Sequence, residues 1–196
     1  MIGPFSLNAA TGLRLEPWPH FVEDNFLASE TIDVAVEEIG SYVYEYEIDE
    51  RGKGRIEFAL LQSRVLWKAL YSKRTSEILS SAFQCNIFLN KENLIQLRRM
   101  NNATPSFPLH NDFILGSNTI VSFLYLSKNW SLDCGGRLLL QRDGEATCAP
   151  VAVEPIFNRL VAFQTKAEHW HSVESVTSWE RLTETLHNSP PCVSKA

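Results

Sequence analysis

The sequence predicts a mainly β domain with flanking helices, and three observations predict it. From Ile87 onward the chain breaks into short runs rich in β-branched and aromatic residues, at 93–100, 119–126, 137–141, 160–164, 171–176 and 181–186. Turn residues separate those runs: Asn101-Asn102, Pro105, Pro108, Gly116, Gly135-Gly136, Asp143-Gly144 and Pro155. Helical periodicity is confined to the first 86 residues. Short strands at this spacing read as a sandwich or barrel. A chain of 196 residues is long enough for one such domain and too short for two of full size. The expected organisation is a single domain over 1–196, with a helical and strand buttress over 1–86 and the β core over 87–188.

In order along the chain, His20-Phe21-Val22 reads as a short strand. Ser29 is placed to cap a helix that carries Ile32, Val36 and Ile39 on one face. Residues 42–48 alternate apolar and polar side chains, the pattern of a half-buried strand, and Gly52-Lys53-Gly54 is a turn. The stretch 62–84 reads as one helix with Leu66, Leu70, Ile78 and Leu79 toward the core.

Composition narrows the function classes. Apolar residues are 44% and charged residues 21%, enough of the first to build a core. The net charge of -5 argues against nucleic acid or an anionic membrane as the main partner, because those need a basic face. No apolar run approaches a membrane span, and Met1 to Ser6 shows neither a basic nor a long apolar leader segment. Cys85, Cys134, Cys148 and Cys192 form no paired motif and are expected to be reduced packing residues in a cytoplasmic protein.

The chemistry is concentrated in Leu109-His110-Asn111-Asp112-Phe113. His110 and Asp112 stand two apart, so on a strand both face one side. His171 follows Asp112 by 59 positions, inside Glu168-His169-Trp170-His171-Ser172-Val173, and Arg181 follows His171 by 10. Two imidazoles and one carboxylate on one face of an octahedral metal leave three positions open, the ligand set of non-haem Fe(II) sites that activate O₂. A guanidinium nearby can hold a second carboxylate by a bidentate fork. A ligand that chelates iron through a 2-oxo acid and meets the arginine through its other carboxylate has the shape of 2-oxoglutarate.

These residues resemble the Fe(II)- and 2-oxoglutarate-dependent oxygenases, in their prolyl-4-hydroxylase-like branch. The resemblance runs over 95–186: Leu97-Arg98-Arg99 leading into the His110 segment, Val121-Ser122-Phe123-Leu124-Tyr125-Leu126 with Trp130, Gly135-Gly136 before Arg137-Leu138-Leu139-Leu140, Asn158-Arg159-Leu160-Val161-Ala162-Phe163, and Glu180-Arg181-Leu182-Thr183. It implies a double-stranded β-helix, a jelly-roll core of cupin type. It implies Fe(II) on His110, Asp112 and His171, with 2-oxoglutarate as cosubstrate and O₂ as oxidant. Arg181 would take the distal carboxylate of the cosubstrate, assisted by Thr183. Two positions depart from the branch. Relatives often carry a tyrosine shortly before the H-x-D, where this chain reads Arg99-Met100-Asn101-Asn102, so Tyr125 is the expected substitute contact, and the usual Gly-Gly-Glu reads Gly135-Gly136-Arg137.

The expected activity is hydroxylation of an unactivated C–H bond in a small molecule, an amino acid or a peptidyl residue, prolyl included, with release of succinate and CO₂. Asp112 speaks against a halogenase, in which that ligand position is left open. The alternatives are a cupin-like metal enzyme that does not use 2-oxoglutarate and a non-catalytic binding module with a vestigial site. His169 rivals His171 as a ligand but is read as a surface or supporting residue, because the family's distal histidine precedes a Ser-Val-x-x-Val run. Arg98, Arg99, Arg137, Arg142 and Arg159 are candidates for binding an anionic substrate. Trp130, Trp170 and Trp179 are read as core or rim aromatics.

Overall fold

A computed structural model describes residues 12–48, 55–60, 62–89, 95–100, 104–145, 147–177 and 183–188. In chain order these form β1 (Leu13–Arg14), β2 (His20–Glu23), α1 (Ser29–Ile39), β3 (Glu45–Ile48), β4 (Arg55–Leu60), α2 (Arg64–Leu70), α3 (Lys73–Phe83), β5 (Ile95–Met100), β6 (Phe107–His110), β7 (Ile120–Tyr125), β8 (Leu138–Gln141), β9 (Val151–Val153), β10 (Leu160–Gln164), β11 (Trp170–Val173) and β12 (Thr183–Asn188). An eight-stranded sheet runs β1-β2-β10-β7-β12-β5-β4-β3, and a four-stranded sheet runs β6-β11-β8-β9. This is the double-stranded β-helix expected from the resemblance.

Side-chain alternation sorts two cores. On β7, Ile120 and Leu124 join the helices, while Val121, Phe123 and Tyr125 point the other way, toward Leu138, Leu140 and Val153 of the small sheet. The helical layer buries Ile32, Ala35 and Ile39 of α1, Leu66 and Leu70 of α2, and Ile78 and Leu79 of α3 against the large sheet. All four core positions expected of the 62–84 stretch are therefore buried. No helix among the described residues is long and apolar enough to cross a membrane.

Three local expectations are corrected. The 62–84 stretch is two helices, because Ser72 leaves the helical path, accepts the Thr75 N–H on its side chain and starts α3 anew. The cap of α1 is Ala28, and the Ser29 hydroxyl instead reaches Asp33 at 3.4 Å. Sequence periodicity also missed β4, β6 and β9, two of which are only four and three residues long. The Gly52-Lys53-Gly54 turn lies outside the described residues.

The N-terminal strands close both ends of the large sheet, and polar contacts pin them there. Asn158 sits in the left-handed region at φ 61 and pairs with both backbone groups of Leu27, at 2.9 and 2.7 Å. The buried Arg159 guanidinium forks onto Asp24 at 2.5 and 2.9 Å and lowers that carboxyl's pKa. Gly135 must be glycine: its φ is +69, and a Cβ there would lie 2.3 Å from the Ser175 carbonyl.

Replacing Ser72 by alanine removes the α3 cap and should lower the unfolding free energy by about 1 kcal/mol, read from urea midpoints. His20 gives a second expectation. It is fully buried on β2, its Nδ1 pairs with the Trp18 carbonyl at 2.9 Å, and its Nε2 has no partner among the described residues. Burial pushes its pKa down, opposed by that carbonyl and helped by Arg14 and His169. The unfolded chain then binds a proton that the folded chain refuses, so this group destabilises the fold as pH drops through the ordinary histidine value near 6.5. His20→Phe should lose less stability than wild type between about pH 7.5 and pH 5.5; equal slopes in metal-free urea titrations would refute the assignment.

Candidate metal centre

Strand pairing creates the centre. β6 and β11 run antiparallel with His110 opposite His171, and the pairing shifts register just beyond, where Val173 faces Phe107. His110 is the last residue of β6, so Asp112 lies in the loop that follows rather than on the strand. The same-face argument of an extended strand thus does not apply to Asp112, which is brought round by the loop. The outcome is nonetheless convergence. His110 Nε2 lies 3.7 Å from one Asp112 oxygen, and His171 Nε2 lies 3.4 Å from the other. The three residues can offer ligand atoms that all lie within 4.8 Å of one another.

Hydrogen bonds orient the rings. His110 Nδ1 faces the Pro108 carbonyl at 2.8 Å, and His171 Nδ1 faces the His169 carbonyl at 3.5 Å. With Nδ1 turned to a carbonyl, each ring aims its Nε2 at Asp112 and leaves that nitrogen as the one available to a metal. Neighbouring ligands on a metal with bonds of about 2.1 Å stand roughly 3 Å apart. The observed donor separations need only a small contraction to meet one ion. The donor set is two imidazole nitrogens and a carboxylate, which fits Fe(II) and leaves coordination positions open. Both imidazoles are nearly buried, whereas the Asp112 side chain is 31% exposed, so the centre opens on the aspartate side.

The loop on that side is apolar and built. Phe113, Ile114 and Leu115 are 38, 67 and 89% exposed directly after Asp112. Asn111 ties the loop to the Ala167 carbonyl at 3.1 Å, and Ser117 closes a turn on the Ile114 carbonyl through both its N–H and its hydroxyl. Three large apolar side chains thus stand exposed in the loop that carries Asp112. Sequence reasoning passed over them, although three successive apolar residues between polar ones were the available signal.

Of the expected cosubstrate residues, Tyr125 is on the inner face of β7 and fully buried, and burial pushes its phenol well above the ordinary range. Thr183 starts β12, opposite Met100. Arg181 and Trp179 lie outside the described residues. The arginine candidates are mostly committed to carboxylates. Arg99 meets Glu57 at 2.5 Å and covers the Tyr44 ring, Arg137 forks onto Glu174, and Arg142 meets Glu16. Arg98 donates to Gln96 Oε1 at 3.2 and 3.1 Å. His169 is 3% exposed, which removes a surface role. Trp130 is half-buried and donates to the Gly135 carbonyl, whereas Cys148 is exposed rather than packed.

Comparison with known proteins follows the geometry. A family model described as the 2OG-Fe(II) oxygenase superfamily matches residues 95–187. No curated protein matches in sequence. A prolyl-4-hydroxylase from Pseudomonas putida superposes with a TM-score of 0.65 at 16% identity, over 86% of this chain and 89% of that one. A Trichoplax adhaerens prolyl hydroxylase, solved with a peptide fragment of the hypoxia inducible factor oxygen degradation domain, gives 0.61 at 18% identity over 86% and 83%. The alpha-ketoglutarate-dependent epimerase SnoN of nogalamycin biosynthesis gives 0.64 at 12% identity over 86% and 75%.

Proposed function

Because this chain belongs to the 2OG-Fe(II) oxygenase superfamily, and is thus an enzyme using Fe(II), 2-oxoglutarate and O₂, we propose that His110, Asp112 and His171 hold its iron. We infer that it hydroxylates an unactivated C–H bond of a small molecule, an amino acid or a peptidyl residue, with succinate and CO₂ as co-products. The observation that supports the assignment is the meeting of two Nε2 atoms on the two oxygens of Asp112. Held there, iron would activate O₂, with 2-oxoglutarate supplying two of the electrons that reduce it.

The chain's own residues do the rest. The Pro108 carbonyl holds the His110 ring through Nδ1 and the His169 carbonyl holds His171 more loosely, so that both Nε2 atoms face Asp112. The Tyr125 phenol stays neutral in the inter-sheet core and is a hydrogen-bond donor for the cosubstrate. Arg181 is the counter-charge for its distal carboxylate, with Thr183 beside it at the start of β12. Strand β12 lies between β7 and β5, next to Tyr125, which supports this grouping.

The substrate reading rests on the open side. Phe113, Ile114 and Leu115 favour a substrate with an apolar portion near the oxidised carbon. The peptide bound by the Trichoplax relative makes a peptidyl residue a natural candidate. The segment before His110 carries no tyrosine, Met100 there packing with Trp130, Cys134 and Val176, and Arg137 replaces a glutamate, so a prolyl target has no special support. The protein is expected to be cytoplasmic and to need neither nucleic acid nor membrane.

The test is spectroscopic and then chemical. Anaerobic addition of Fe(II) and 2-oxoglutarate should give a weak visible charge-transfer band, and admission of air should yield succinate. His110→Ala and Asp112→Ala should abolish both. Arg181→Ala should weaken 2-oxoglutarate binding on the order of tenfold or more while leaving iron affinity unchanged. A protein that gives neither band nor succinate, with His110→Ala indistinguishable from it, is not using this centre. Loss of iron in Arg181→Ala would refute the cosubstrate role, and full turnover without 2-oxoglutarate would favour the cupin-like alternative.

A further inference from the structure

The two imidazoles of the centre are not held equally. His110 is fixed from its own strand by a 2.8 Å bond to the Pro108 carbonyl. The corresponding bond of His171 is 3.5 Å, long enough to orient the ring only weakly. Something else must stop that ring from turning, and the structure shows a wall of rings behind it. The edge of Phe163 meets His171 with centroids 4.9 Å apart at 63°, and Trp18 meets Phe163 at 5.1 Å, again at 63°. Trp18 also stacks flat on His169, at 4.4 Å and 14°. His169 is the residue whose carbonyl receives His171 Nδ1–H.

Each member of the wall is itself tied down. Trp18 Nε1 donates to the Gln141 carbonyl at 2.8 Å, and Gln141 is the register partner of Trp170, between the two histidines. The His169 ring faces the Gln164 carbonyl at 2.7 Å, and its backbone N–H bonds Lys166 at 3.0 Å. Trp18, Phe163 and His169 are 4, 0 and 3% exposed, so no solvent cushions the contacts. Trp18 therefore reaches His171 by two routes, through the Phe163 ring and through the peptide of His169.

We propose that Trp18 and His169 are positioning residues for His171: their stack holds the His169 carbonyl and the Phe163 ring where they keep the His171 Nε2 lone pair on the metal. The proposal rests on the metal centre assigned above. It gives His169, which stands just before β11, a supporting role in place of a ligand role. Neither side chain touches the metal position, and both act only through the orientation of His171.

The test uses the full chain and Mn(II) alone as probe, with no turnover required. Trp18→Leu should raise the Mn(II) dissociation constant about tenfold or more, the usual cost of losing a ligand's support. Trp18→Phe, which keeps a ring in the stack but loses the bond to Gln141, should recover most of the affinity. Trp67→Leu is the control: Trp67 stacks on Tyr71 at 4.2 Å in the helical layer, and its loss should cost stability while leaving Mn(II) affinity unchanged. Histidine ¹⁵N shifts of the metal-free protein should show one His171 tautomer in wild type and averaging in Trp18→Leu. If Trp18→Leu does not fold, His169→Gln carries the same expectations. Wild-type affinity and a single tautomer in Trp18→Leu, or in His169→Gln in its place, would overturn the positioning role alone. A wild type that takes up no Mn(II) would overturn the metal centre and this role together.

Discussion

The register that sets His110 opposite His171 is the constraint on which the rest of the centre depends. Side chains on a strand alternate between faces, so a slip of one residue would turn either imidazole to the outside of the small sheet. Much of the surrounding structure opposes such a slip. β11 is held on its other side by four register pairs with β8, including His171 opposite Leu140. The Glu174 N–H bonds the Arg137 carbonyl, and the Arg137 guanidinium forks back onto the Glu174 carboxylate at 2.8 and 2.7 Å. The Gly135-Gly136 turn fixes where β8 begins, because its geometry accepts no side chain at Gly135. The two-sheet architecture thus serves one alignment of two residues.

Much of this was legible in the sequence, and the limits have physical causes. Strand β10 falls on 160–164 as expected, because its apolar run is bounded by turn residues on both sides. The grouping of His110, Asp112 and His171 was legible because residue type and spacing together narrow the chemistry. Strand β6 was not, since four residues containing Pro108 carry too little periodicity to be seen. The break between α2 and α3 was hidden because apolar spacing continues through Ser72, and only the cap bond to Thr75 reveals it. The Trp18–His169 stack joins residues far apart along the chain, and no local pattern encodes such a contact.

Charge is arranged to keep the interior around the centre neutral. Arg99, Arg137, Arg142 and Arg159 each meet a carboxylate, and several of these pairs fasten one strand or loop to another. Exposed pairs of this kind add little stability, but forked ones fix geometry. The inter-sheet space is instead filled by Phe163, Val121, Phe123 and Tyr125, and burial raises the pKa of that phenol as it lowers that of His20. A site that must exclude bulk water gains from such surroundings.

The order of strands in the large sheet has a consequence for how the protein is made. β12 is the last strand among the described residues, yet it lies between β7 and β5, near the middle of the sheet. Until a ribosome has released it, those two neighbours have open backbone edges facing one another with nothing between them. The sheet therefore closes only once β12 has been made, and the nascent chain is most prone to stick to others before then. Shortening the chain into β12 would divide the sheet through its centre, which trimming an edge strand such as β1 would not do.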